Sequence, residues 1–327
     1  MGGSAVTTTA THYEPSGKAG AAATMGMAAA GLAAAAAGAW LYQFLVDKIP
    51  FIYVTFLVSA GFGALIGFAV GVAGKATKCR KPQLVVTMAI LGAVVGDLAS
   101  FRYAYDRFIG EAVEEMRGVD AVSLAQELKT SGELTALQRD LLLAAARADG
   151  NASVAKNEFG FGKYIDFRVE EGWEIGRSSS GIPLKGFFVW IIWLLELAII
   201  AAVGYGIAGS VAHIPFDEAS MTWMPAAANQ TVRINAEPFL ASVQAGDVAG
   251  MLAPELHQSS PVSAKYTMFT SRPADHAYVS IELVVQDGKE EKTDEVVRYL
   301  RIAPDDWTGF LRHGRDGGAP EAGAAKN

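Results

Sequence analysis

The sequence predicts a polytopic α-helical membrane protein with about four transmembrane helices, a helical extramembrane segment and a small C-terminal α+β domain. Three observations lead there. Hydrophobic residues fill 51% of the 327 positions, and the mean hydropathy is positive at +0.24. Four apolar stretches of about 20 residues, each long enough to cross a bilayer as a helix, alternate with polar segments. After the last stretch the apolar pattern shortens toward the two-residue period of strands.

The chain divides accordingly. Residues 1–23 are small and polar and are expected to be disordered. Residues 24–101 hold three spans, 102–183 an extramembrane segment, 184–209 the fourth span, 210–313 the α+β domain and 314–327 a loose Gly/Ala tail.

The first span, Thr24 to Leu45, is mostly Ala and Gly, and draws its interfacial weight from Trp40, Leu41, Tyr42 and Phe44. A cleaved signal peptide is the competing reading, because Ala37-Gly38-Ala39 fits a small-residue cleavage site. Apolar residues running on to Val46 argue against it. Asp47-Lys48-Ile49-Pro50 leaves room only for a tight turn, with Pro50 suited to a helix start. The second span, Phe51 to Gly74, carries Gly63, Gly67 and Gly71 at four-residue spacing. These give it a flat face that a neighbouring backbone can approach closely. The Ala-rich first span is the expected neighbour, and a contact between subunits is the alternative. Gly92 and Gly96 give the third span, Gln83 to Phe101, a similar face. Lys75, Lys78, Arg80 and Lys81 crowd the short loop between these spans, which places that loop in the cytoplasm. Both termini are then cytoplasmic and residues 102–183 lie outside. The Ala/Gly-rich composition suits a bacterial inner-membrane protein.

Glu196 stands within the fourth span, Leu184 to Gly209, with no other acid in that run. A carboxylate at mid-bilayer costs about 2.5–3.5 kcal/mol on insertion scales, so such residues face protein or water and mark function by default. The structural alternative is a hydrogen bond to a neighbouring helix, with Tyr42, Thr55, Ser59 and Thr87 as the available partners. Asp97 sits about one turn inside the expected end of the third span and reads as an interfacial carboxylate near Arg102. At ~1.5 Å per residue, Asp97 and Glu196 differ in depth by on the order of 10 Å, and no carboxylate pair is expected.

Outside the spans, Tyr105, Phe108, Ile109, Ala112, Val113 and Met116 form a helical stripe within 102–129. Thr130-Ser131-Gly132-Glu133 has capping-box spacing and should open a helix from Leu134 to Ala148. Phe159, Phe161, Tyr164, Phe167 and Trp173 precede the fourth span and are expected at the membrane interface. In the last domain, strands are expected at Gln230–Asn235, Ala264–Thr270, Tyr278–Gln286 and Val296–Ile302. A helical stretch should start near Pro238 and run to Leu252, Asp287-Gly288 is a hairpin signal, and a short helix begins at Asp305.

Little in the chain points to catalysis. Cys79 is the one cysteine, and the five histidines lie at no ligand spacing. Asp217/Ser220 and Arg272/Asp275 fall at the offset of zinc-ribbon cysteine pairs, but with those residue types zinc binding is not expected. A net charge of −7 without a long basic tract leaves nucleic acid no electrostatic footprint. No phosphate loop, nucleophile elbow or kinase signature occurs. No catalytic residue, metal or cofactor is therefore expected, and the chain reads as non-enzymatic. The expected function is an interaction or assembly subunit of a membrane complex, working through the glycine face and the extramembrane parts. Its partners would be the lipid bilayer and other membrane subunits or copies of itself. The alternative is an ion- or proton-conducting oligomer that uses Glu196.

Overall fold

The computed structural model describes residues 11–48, 52–130, 134–175, 182–252, 262–270, 276–287 and 290–303. It comprises two compact units, one of Ala19–Ala212 and the other of Met1–Lys18 with His213–Asn327.

The first unit begins with α1 (Ala21–Lys48), α2 (Ile52–Ala76) and α3 (Pro82–Glu115). Four short helices follow, α4 (Ala121–Thr130), α5 (Ala136–Ala148), α6 (Ala152–Glu158) and α7 (Phe161–Glu171). A hairpin of β1 (Trp173–Ile175) and β2 (Ile182–Leu184) then leads into α8 (Phe187–Ala212). Helices α1, α2, α3 and α8 are long and apolar enough to cross a membrane. Their outward faces carry large apolar side chains, such as Leu57, Phe68, Leu98 and Leu194, each more than half exposed. Their inward faces are small: Ala35, Ala39, Ala89, Ala93 and Ala208 are among the buried residues. Bulk outside and small residues inside suit helices that meet lipid on one face and each other on the other.

The glycine face of α2 packs on α8, and not on α1 as its Ala-rich sequence suggested. A Cβ on Gly63 would collide with the Ile200 carbonyl, and one on Gly67 with the Gly204 carbonyl. A Cβ on Gly71 would lie 3.2 Å from the Val211 side chain. The contact positions rise together along both helices, so α2 and α8 run parallel. A Cβ on Gly92 of α3 would come within 2.9 Å of the Ile66 side chain and one on Gly96 within 2.8 Å of Phe62, both of α2, with Gly31 and Ala35 of α1 further off. The five glycines thus pack helices of one chain together.

Helix α3 differs from expectation in its far end. Its 34 residues form one unbroken helix about 51 Å long, which overruns a bilayer core by several turns. The change from apolar to charged residues after Phe101 had marked the end of a span, but a helix can leave an apolar layer without breaking. The expected stripe lies on this projecting part. Tyr105, Ile109 and Val113 are buried with Leu141, Ala144, Phe159, Tyr164 and Phe167. The aromatics of 159–167 are therefore the core of a helical cap built on α3. The Tyr105 hydroxyl donates to the Phe159 carbonyl at 2.7 Å and anchors that cap. Helix α5 opens two residues later than expected, on a capping box of Thr135 and Gln138. The Thr135 hydroxyl accepts from Gln138 N at 3.2 Å and Gln138 Oε1 accepts from Thr135 N at 2.8 Å. Residues 131–133 of the expected box, and Pro50 of the first turn, lie outside the described residues.

The second unit holds a small hairpin, β3 (Phe216–Asp217) with β4 (Thr222–Trp223), in which Asp217 accepts bonds from Ala219 N and Ser220 Oγ. Its sheet contains β5 (Ala226–Arg233), β6 (Val262–Phe269), β7 (Ala277–Asp287) and β8 (Glu290–Ile302), antiparallel in that order. Helices α9 (Ala236–Ala245) and α10 (Val248–Leu252) follow β5. Asn235, expected inside a strand, is instead the cap of α9, its side chain accepting from Glu237 N. The core is Ile234, Phe239, Met251, Ala264, Tyr266, Met268, Val279, Ile281, Val297 and Leu300.

Thr11–Tyr13, expected to be disordered, pair along the outer edge of β8. Arg301 N donates to Thr11 O at 2.8 Å and Tyr13 N to Tyr299 O at 2.9 Å, with His12 opposite Leu300. The pairing follows a bulge at Arg298-Tyr299, where Tyr299 takes φ +48 and donates its N–H to Ser280 Oγ at 3.1 Å. The Tyr13 ring stands edge-on to Tyr278, 5.3 Å between centroids. The Asp287-Gly288 turn is only half described. Arg272, Asp275, the helix from Asp305 and the tail lie outside the described residues.

Candidate functional site

The glycine contacts fix which residues share a level. One helical turn back from the Gly63–Ile200 contact stand Ser59 of α2 and Glu196 of α8. The same step from Gly38, which packs on Phe62, reaches Tyr42 of α1, and from Gly96, also on Phe62, it reaches Ser100 of α3, one turn from Asp97. Each of the four helices therefore supplies a polar residue at one depth. All are buried, with Glu196 4% exposed, Asp97 8%, Tyr42 6%, Ser59 0% and Ser100 2%.

Three of the four partners considered for Glu196 form a line. The Tyr42 hydroxyl hydrogen-bonds both Glu196 and Ser59, and Ser59 Oγ donates to the Thr55 carbonyl at 2.9 Å. Thr87 takes no part; its hydroxyl donates to the Gln83 carbonyl, one turn back on its own helix. The remaining oxygen of Glu196, Oε1, is buried without a hydrogen-bond partner.

Asp97 and Glu196 are not separated in depth as expected: both line one cavity of about 240 Å³. The helix register given by the glycine contacts sets Asp97 about one turn from the level of Glu196, which the sequence alone does not supply. Nor does Asp97 meet Arg102, which turns to Asp106 at 3.5 Å and lies over the Tyr105 ring. Asp97 and Glu196 have no ion-pair partner among the described residues.

The cavity runs from these buried carboxylates toward the cap. At that end its lining includes Asp47, Arg107, Glu111 and Arg168, all at least partly exposed. Arg107 is paired with Asp47 across from α1 and with Glu111 at 3.3 Å on its own helix. Arg168 is paired with Glu171 at 3.0 Å. Phe101 and Trp193, edge to face at 4.9 Å, line the wall between the two ends. The sequence placed Asp47 in the first turn and gave none of these cap-end residues a part in a site. Their one available signal was that Asp47 and Arg107 each lie just past an apolar run. No group of three or more metal-ligating side chains occurs among the described residues.

Chemically, the arrangement is a cavity lined by two buried carboxyl groups and a tyrosine of an apolar helix bundle together with partly exposed charged residues. No protein-family model, curated protein or solved structure matches the chain, so the class defined by fold and site stands alone: a chain with four potential membrane-crossing helices, a helical cap and a small sheet domain.

Proposed function

We propose that the four helices cross the inner membrane of a bacterium and that the Asp97/Glu196 cavity takes up a cation or proton from the side of the cap. The observation that carries this reading is that Glu196, 4% exposed and without an ion-pair partner among the described residues, lines a cavity whose other end is lined by exposed residues. An ionisable group at such depth is costly, and its placement at the end of a polar passage is what an uptake site requires.

The orientation rests on the basic loop, and the even number of crossings on the pairing of the two ends. The basic loop between α2 and α3 argues for a cytoplasmic position, which puts the cap outside. Thr11–Tyr13, before α1, and β8, after α8, belong to one sheet, as an even number of crossings requires.

The glycine face supports an assembly role less than the sequence implied, because Gly63 and Gly67 are closed against α8. Partner subunits would have to bind the outward surfaces. The test of the uptake reading is flux in proteoliposomes under a pH or cation gradient. Wild-type protein is expected to dissipate the gradient, and Glu196→Gln to abolish this while eluting as a folded species. Unchanged flux in the variant would remove Glu196 from the path.

A further inference from the structure

We infer that the occupant of the Asp97/Glu196 cavity is a small organic monocation, of the alkylammonium or guanidinium class. This rests on the cation-uptake reading above and narrows it. Four observations carry the choice, beginning with size. A cavity of about 240 Å³ has room for roughly eight waters at ~30 Å³ each, far more than a proton or one bare alkali ion fills.

Charge is the second. The lining holds four carboxylates, Asp47, Asp97, Glu111 and Glu196, against two guanidiniums, Arg107 and Arg168. Both guanidiniums are already paired with acids outside the inner end, so the unmet charge lies at Asp97 and Glu196. The third is ligand number: among the described residues no three acids, histidines or cysteines lie close enough together to hold a metal ion, Asp97 and Glu196 included.

The fourth is the wall. Tyr42, Phe101, Tyr164 and Trp193 line the same space, and aromatic faces attract organic cations that are weakly hydrated. A planar or tapered cation would place its N–H donors on the carboxyl groups of Glu196 and Asp97, which line the cavity, and its carbon against the rings.

The experiment is calorimetric titration of the full chain in neutral phosphatidylcholine nanodiscs at fixed ionic strength. The probes are methylguanidinium, propylammonium, sodium and calcium. The expected result is saturable binding of an organic cation, at least ~10-fold weaker in Glu196→Gln and in Asp97→Asn. Phe101→Leu should weaken the organic cation and leave sodium unchanged. Equal weakening of both by Phe101→Leu, or organic binding indifferent to both carboxylate variants, would overturn the inference. Sodium or calcium binding that needs Glu196, without organic binding, would also overturn it while sparing the uptake reading. No cation binding, together with flux that ignores Glu196, would sink both.

Discussion

Glu196 draws its interest from what surrounds it more than from its own burial. Tyr42 bonds it on one side, Ser59 and Thr55 extend that line, and Oε1 is buried without a hydrogen-bond partner among the described residues. The sequence offered Tyr42, Ser59 and Thr55 as candidates, because few polar residues occur in the spans. It could not rank them, since ranking needs the register between helices, which backbone contacts at glycine decide. Removing the tyrosine hydroxyl in Tyr42→Phe should lower flux without the complete loss expected of Glu196→Gln, and the same proteoliposome assay measures both. Tyr266 gives a residue-scale test in the other unit. Its buried hydroxyl donates to the Met251 carbonyl at 2.8 Å, and burial raises its pKa above the ordinary 10.0. A raised pKa contributes stability that is full below pH 10 and lost as pH rises beyond it, because only the unfolded chain then ionises freely. Tyr266→Phe should cost about 1–3 kcal/mol by leaving the Met251 carbonyl unsatisfied. It should also flatten the alkaline fall in stability seen in denaturation of the wild type.

At the level of elements, the four apolar helices were legible because twenty apolar residues in a row admit few other folds. Their packing was only partly legible. Gly63, Gly67 and Gly71 announce a close helix contact, yet Ala-rich α1 and glycine-bearing α8 are both chemically suitable neighbours. The choice falls to α8 because Gly204 meets Gly67 backbone to backbone. Gly67→Ala should therefore prise α2 from α8 and lower the melting temperature of the detergent-solubilised protein. Gly61→Ala, at an open position on the same helix, should leave it unchanged. The end of α3 was misjudged for a different reason: composition marks where an apolar layer ends, and capping marks where a helix ends. The cap also shows how finely such signals are placed. Thr130 and Thr135 both head plausible boxes, and Thr135 closes one with Gln138. Thr135→Ala should destabilise the cap by about 1 kcal/mol, measurable as a shift in the denaturation midpoint followed by circular dichroism.

For the whole molecule, the account joins a bundle of small inward residues to a passage that ends among four helices. Thr11–Tyr13 pair with β8, so both ends of the described chain belong to one unit, as the proposed four crossings require. A cysteine placed at His12, with Cys79 replaced by serine, should be labelled from the same side as one placed at Lys292. Labelling from opposite sides would break the four-crossing arrangement. The central claim, that Glu196 is reached from the cap side by cations, is tested most directly by Glu196→Cys in the same background. The protein would be reconstituted in vesicles and treated from either side with cationic and anionic methanethiosulfonates. The account predicts modification from the cap side, faster with the cationic reagent. A cysteine that is inert to both reagents, or reacts only from the side bearing the loop between α2 and α3, would contradict it.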